Sequence, residues 1–213
     1  MSDTSATVAA AAWPDPVPST RLPLRGPPYP PEVAARIDNT AFSGLSPQNL
    51  RLALAHQPAL ASALQALAHQ ILFKCTLPER EREIAIIRTG ALSRSEYEWD
   101  MHVSIYGPAC GFSPAQIDEL TLGQASAALW TATERLMVQV VDELHQHSTV
   151  SDATWAALSV HWPPAQIVEL ILSAGFYRMA ALFLNSTGVP LEVGAQRFPP
   201  GLAQAAAPQA QLP

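Results

Sequence analysis

Apolar residues recur at three- and four-residue spacing through most of this chain, and no stretch alternates strictly at strand spacing. The pattern predicts helices throughout. Short ones cover "PEVAARID" (31–38) and "SPQNLRLALAHQ" (46–57), and a longer amphipathic one covers 58–73 behind Pro58. The next, 77–93, opens with Pro78 and acidic residues, which the helix dipole favours in a first turn. The stretch "SEYEWDMHVSIYGPAC" (95–110) follows after almost no linker. "GFSPAQIDEL" restarts a helix with Ser113 as its N-cap, and 125–147, 150–162 and 163–188 complete an all-α fold. The starts "SPAQIDEL" (113–120) and "PPAQIVEL" (163–170) echo each other; a common capping solution explains this more simply than a duplicated unit.

The flanks differ in character. Residues 1–31 form a Pro/Ala-rich arm that reads as solvated, polyproline-like linker; 32–195 is the helical domain; 196–213 is a low-complexity tail. The longest apolar run, 170–184, is interrupted by Arg178 and is too short to span a bilayer, so it reads as a core helix and no membrane is expected as a partner.

Composition sharpens this picture in two places. Hydrophobic residues make up 48% of the 213 and charged ones only 14%, so part of the surface is expected to be covered by self-association. The net charge of -6 comes without any basic cluster, which argues against a nucleic-acid partner. Cys75 and Cys110 make neither a disulfide framework nor a metal pattern. The N-terminus lacks the basic and apolar regions of a signal peptide, and a reducing, cytoplasmic location is expected.

The candidate chemistry sits on two helices. Ile84, Ile87 and Ala91 mark an inward stripe on 77–93, with Ile86 at its edge and Glu83 on or beside it. A carboxylate there either reaches solvent or is held by Arg, His or backbone N–H groups, with Arg82 and Arg88 nearby. On the next helix Glu98, His102, Ile105 and Tyr106 share one face. Histidine titrates near neutrality, and a carboxylate one turn earlier fixes its tautomer and raises its pKa. Such a pair alone is more often structural than catalytic. No His-Glu-x-x-His occurs, "HQH" (145–147) and His161 read as helix-end residues, and no metal is expected. Cys110 reads as a small buried thiol, and Trp99, Trp130, Trp155 and Trp162 as packing residues.

The combined pattern "PEREREIAIIRTGALSRSEYEWDMHVSIYGPACGFSPAQIDEL", with the later "VELILSAGFYRMAALFLNSTGVPLE" (168–192), resembles the carboxymuconolactone decarboxylase family and its alkylhydroperoxidase D-like relatives. The peroxidase branch of that family carries a Glu, then Cys-x-x-Cys, then His. On this chain those positions are Glu83, Ser95, Glu98 and His102, so the dithiol is absent and the thiol–disulfide cycle has no chemical basis. The decarboxylase branch is similar in having Glu four residues before His. The resemblance implies an alkylhydroperoxidase D-like helical bundle, assembling as a homotrimer or homohexamer with sites near subunit contacts. It also implies that the Glu83 and His102 helices pack face to face.

The expected activity is that of a cofactor-independent lyase, decarboxylating a small organic acid or lactone. His102 is the candidate acid/base, oriented by Glu98, with Glu83 as second acid/base or structural partner. Tyr97 and Tyr106 are candidate hydrogen-bond donors to an oxyanion, Arg88 or Arg178 a candidate carboxylate anchor, and Ser95 lines the same face. The same groups suit isomerisation, dehydration or ring opening. A peroxidase-like redox protein and a non-catalytic oligomeric binding protein are the alternatives.

Overall fold

The computed structural model describes residues 20–26, 28, 29, 31, 34, 48–123 and 125–200. The expected helix over 31–38, most of the arm and the tail from 201 lie outside the described residues. Among those described the fold is all-helical: α1 (Gln48–Leu54), α2 (Pro58–Phe73), α3 (Glu79–Leu92), α4 (Glu96–Ile105), α5 (Gly107–Cys110), α6 (Pro114–Leu122), α7 (Ala132–His147), α8 (Asp152–His161) and α9 (Pro164–Thr187). Local chemistry explains most boundaries. Capping boxes open α6 (Ser113 with Gln116) and α7 (Thr131 with Glu134), Ser151 caps α8, and α9 ends at Gly188 in the left-handed region. The two echoed starts share a proline but not a cap: Pro163 offers no side chain, and Gln166 donates to the Thr76 carbonyl instead. Shared capping therefore does not account for the echo.

Helix α3 lies at the centre, touching α4, α5, α6, α7 and α9. Every residue from Arg82 to Ala91 is buried, so the expected inward stripe is only part of a helix enclosed on all sides. Periodicity cannot reveal this, because the enclosure comes from the neighbouring helices rather than from α3 itself. The 95–110 stretch divides at Tyr106 into α4 and α5, with Pro108 in the second.

The step from α3 to α4 is tight. The Ser95 amide donates to the Gly90 carbonyl (2.9 Å), and Arg94 takes a positive φ of 52°. A Cβ on Gly90 would stand 3.2 Å from the Trp99 backbone nitrogen, so glycine is what permits the two helices to approach this closely. On its outer side α4 is held by the chain after α9. Glu192 accepts from the Tyr97 hydroxyl (2.6 Å), the Gln196 amide donates to Asp100 (2.7 Å), and Arg197 and the Phe198 amide both bond Glu96. These contacts run past residue 195. Residues 21–25 of the arm also dock on the same chain, through Thr187, Leu52 and Ala55, rather than standing free as linker.

Helix α9 spans 24 residues and is long and apolar enough, by length and composition, to cross a membrane, which the 170–184 run did not suggest. One face packs inward through Ile167, Leu170, Ala174, Tyr177, Ala181 and Leu184. Another leaves Val168, Leu172, Met179 and Leu182 exposed.

Candidate active site

Glu83 is completely buried, and each of its oxygens is engaged. Oε1 accepts from Arg82 Nε at 3.1 Å, and Oε2 accepts from His102 Nδ1 at 2.7 Å. A buried carboxylate needs such partners, because an unpaired one is prohibitively costly. The exposed reading of Glu83 is thereby overturned. Its partner His102 is buried as well, and its other nitrogen, Nε2, faces Glu98 Oε1 at 3.5 Å, within ion-pair range but too far for a well-formed hydrogen bond.

This geometry constrains the proton. A carboxylate only accepts, so Nδ1 carries a hydrogen toward Glu83. Were the ring neutral, the Nε2 lone pair would confront Glu98. The protonated ring instead offers a donor to each carboxylate. Burial is the largest single influence and works against the charged ring, but the Glu83 carboxylate, aided by Glu98, outweighs it and lifts His102 to about 9. At neutral pH the resting species is thus an imidazolium between two acidic residues.

Aromatic rings complete the enclosure. Tyr106 stacks on His102 with centroids 5.0 Å apart, and Tyr177 meets it edge-on at 4.7 Å. Among the described residues neither tyrosine hydroxyl has a hydrogen-bond partner. Both phenols are held protonated: burial first, then the Glu83 charge, pushes Tyr106 up to about 12, and burial with Glu98 and Glu83 raises Tyr177 well above the ordinary range. Ser95 begins α4 one turn before Glu98; it is buried, and its hydroxyl has no partner.

The structure thus brings Glu83, Glu98, His102 and Tyr106 together, with Ser95 on the same helix. It does not bring Tyr97, Arg88 or Arg178 to them. The Tyr97 hydroxyl is spent on Glu192 and the Leu50 amide (3.2 Å), in a separate cluster with Ala53, Leu184 and Val189. Arg88 clasps Asp142 through Nε (2.6 Å) and Nη2 (3.0 Å) and gives Nη1 to the Leu120 carbonyl (2.9 Å), so it has no fork left for a substrate. Arg178 donates to the His145 carbonyl at the end of α7 (3.0 Å). Of the two arginines that the sequence places near Glu83, Arg82 is the one that holds it, and Tyr177, which sequence reasoning did not assign, lies against His102. The signal for Tyr177 was a phenol inside an otherwise apolar helix.

Neither cysteine occupies the positions between Glu83 and His102. Cys75 lies before α3, its sulfur 3.8 Å from Arg82 Nη1. The Cys110 thiol is pushed up to about 12, first by burial and then by the Glu83 charge, which makes it a poor nucleophile. Among the described residues no three His, Cys, Asp or Glu side chains gather as metal ligands would.

Residues 58–143 match the model of the carboxymuconolactone decarboxylase family. Two solved structures resemble the chain closely in fold. One is an alkylhydroperoxidase AhpD core, an uncharacterized peroxidase-related protein from Ralstonia eutropha, with TM-score 0.69, 22% identity, and coverage of 83% of this chain and 94% of that one. The other is an uncharacterized peroxidase-related protein from Silicibacter, with TM-score 0.72, 19% identity, and coverage of 85% and 96%. At these identities the likeness establishes the fold. No curated protein sequence matches the chain.

Proposed function

We propose that the chain is a member of the carboxymuconolactone decarboxylase/AhpD-like superfamily and a cofactor-independent lyase, acting on a small organic acid or lactone by proton transfer through His102 and Glu98; the family match over 58–143 and the shared fold support this. The observation that carries this reading is the buried His102 ring held between Glu83 and Glu98; by the family resemblance, Ser95 and Glu98 stand where peroxide reduction would need a dithiol.

The geometry supports a role for each residue. Glu83 holds Nδ1 and keeps the ring cationic, so Nε2–H is the transferable proton. Loss of CO2 leaves an electron pair on the substrate as a dienolate. His102 delivers its Nε2 proton to a carbon of the dienolate, and the Nδ1 hydrogen stays on the ring, hydrogen-bonded to Glu83. The neutral ring is then recharged from solvent past Glu98. For a substrate that must first lose a proton, Glu98 is the acceptor and His102 the donor, which yields an isomerisation. Tyr106 and Tyr177 offer uncommitted, protonated hydroxyls to a developing oxyanion. Assembly into a homotrimer or homohexamer is part of the proposal, supported by the apolar stripe Val168, Leu172, Met179 and Leu182. The free thiols of Cys75 and Cys110 fit a reducing cytoplasm.

The decisive experiment screens small carboxylated lactones and unsaturated acids in D2O, following CO2 release and deuterium uptake at carbon. A substrate should be found that gains solvent deuterium, and His102→Gln should slow its turnover by about 10²–10⁴-fold with the helical fold retained. Undiminished turnover in that variant removes His102 from the mechanism. Since the structural neighbours are described as peroxidase-related, hydroperoxide with a dithiol is the necessary control. Turnover there that disappears with Cys75→Ser or Cys110→Ser would replace the lyase reading by a thiol one.

A further inference from the structure

His102 lies among α3, α4 and α9, but α9 has a second polar flank. A cavity of about 220 Å3 lies among α3, α7 and α9, with Thr89, Val141, His145, Ser148, Gly175 and Arg178 in its wall. It shares Leu144, Ser148 and Ile171 with a shallower groove of about 480 Å3 that continues to Val150, Asp152 and Trp155. The polar end and the apolar end are therefore continuous.

Three features of the polar end are not explained by packing. Arg178 gives Nη1 to the Leu144 and His145 carbonyls, but among the described residues its Nε and Nη2 have no partner, and no carboxylate neutralises it. Asp142, the acid whose charge acts on His145, is already clasped by Arg88, and Asp152 in the groove forms no ion pair with Arg178. His145 Nδ1 is buried without a hydrogen-bond partner, which is costly for a ring nitrogen. Gly175 sits in the middle of α9, where glycine weakens a helix relative to alanine, yet a Cβ there would meet nothing within 4 Å. No close approach demands this glycine; what it does is keep the cavity wall open.

We infer that this cavity and groove form a second binding site, distinct from the His102 site, for a small amphipathic monocarboxylate. The carboxylate takes the free edge of the Arg178 guanidinium and a hydrogen bond from His145, and the apolar body lies along Leu144, Ile171 and Trp155. A guanidinium edge matches a planar carboxylate, and an apolar trough with a few convergent polar groups is the usual form of a small-molecule site.

The test is equilibrium dialysis of radiolabelled hexanoate against the full chain, with hexan-1-ol as the uncharged control and the oligomer's size followed by light scattering. Saturable binding of hexanoate, and not of hexan-1-ol, is expected. Arg178→Gln should weaken it by at least about tenfold, the loss of one charged hydrogen-bonding group. Should that variant fail to fold, because Arg178 also caps α7, Gly175→Leu decides. It adds a side chain where there is room, favours the helix, and should abolish binding; because Gly175 lies between Leu172 and Met179 on the exposed face of α9, the oligomer's size is followed in the same sample. Absence of saturable binding, equal binding of the alcohol, or binding retained in Gly175→Leu overturns the inference. Binding lost in Glu98→Gln but kept in Arg178→Gln overturns it too, by assigning hexanoate to the His102 site. A Gly175→Leu chain that changes oligomer size, with hexanoate bound by neither form, would show that the cavity is covered by another copy of the chain instead.

Discussion

Helix α3 carries two arginine–carboxylate arrangements with buried guanidinium groups less than two turns apart, and they end differently. At Arg88 every group is used: two guanidinium nitrogens on Asp142, the third on the Leu120 carbonyl. At Arg82 and Glu83 the chain of contacts stops short. Glu83 is satisfied, but His102 reaches Glu98 only at 3.5 Å, and the hydroxyls of Tyr106 and Tyr177 are unspent. Both pair charges inside the same helix bundle, so burial and charge do not separate structure from chemistry here. Unfinished hydrogen bonding does. A saturated pair has nothing left to offer a substrate, and an open one is maintained against the cost of leaving polar groups without partners.

This contrast can be broken in several ways. The largest effect is expected from Glu83→Ala, which leaves Arg82 and His102 buried without their shared carboxylate. Urea unfolding should show a loss of about 3–5 kcal/mol, and a loss under 1 kcal/mol would mean that the core admits water freely. Asp142→Ala strips the Arg88 clasp, but the Asp142 side chain is 38% exposed, so about 2 kcal/mol is expected, with the NMR titration of His102 unmoved. If that titration shifts, the two arrangements are coupled and the comparison fails. Gly90→Ala puts a methyl against the Trp99 backbone and should cost about 1–2 kcal/mol, while lowering the His102 pKa by pushing α4 away from Glu83.

Glu98→Gln is expected to change stability least, within about 1 kcal/mol, but to alter its pH dependence. The fold raises His102 from its ordinary value near 6.5 to about 9, so the charged ring stabilises the native state. That contribution is whole below about pH 6.5 and is lost as pH rises through about 9. Thermal melts across this range should fall for the native chain. In Glu98→Gln the fall should come at lower pH and be shallower; superimposable curves would remove Glu98 from the ring's environment.

How much of this was legible beforehand depended on whether a feature is local. The 58–73 helix is legible to the residue, since Pro58 and its apolar spacing are properties of that segment alone. The Glu98–His102 face likewise follows from helical geometry. The placement of Glu83 against His102 was implied by the family resemblance, not by spacing, and its complete burial, one of two readings its position leaves open, is decided by the neighbouring helices that create it. The two arginines failed for the same reason. Nothing near Arg88 in sequence announces Asp142, and nothing near Arg178 announces the end of α7. Tyr177 was hidden differently: in an apolar helix a phenol counts as core until one sees which ring it touches.

The strap across α4 has a consequence for timing. Glu192, Gln196 and Arg197 grip residues 95 to 101 positions earlier in the chain. The helix bearing Glu98 and His102 therefore cannot acquire its outer supports until nearly everything described has been synthesised, because long-range contacts form only after their loop is closed. Pulse-labelled hydrogen exchange during refolding should find α3 and α7 protected before α4. If α4 is protected first, the strap does not govern its docking. A helix supported last cannot hold Glu98 and His102 in place before its enclosure is complete.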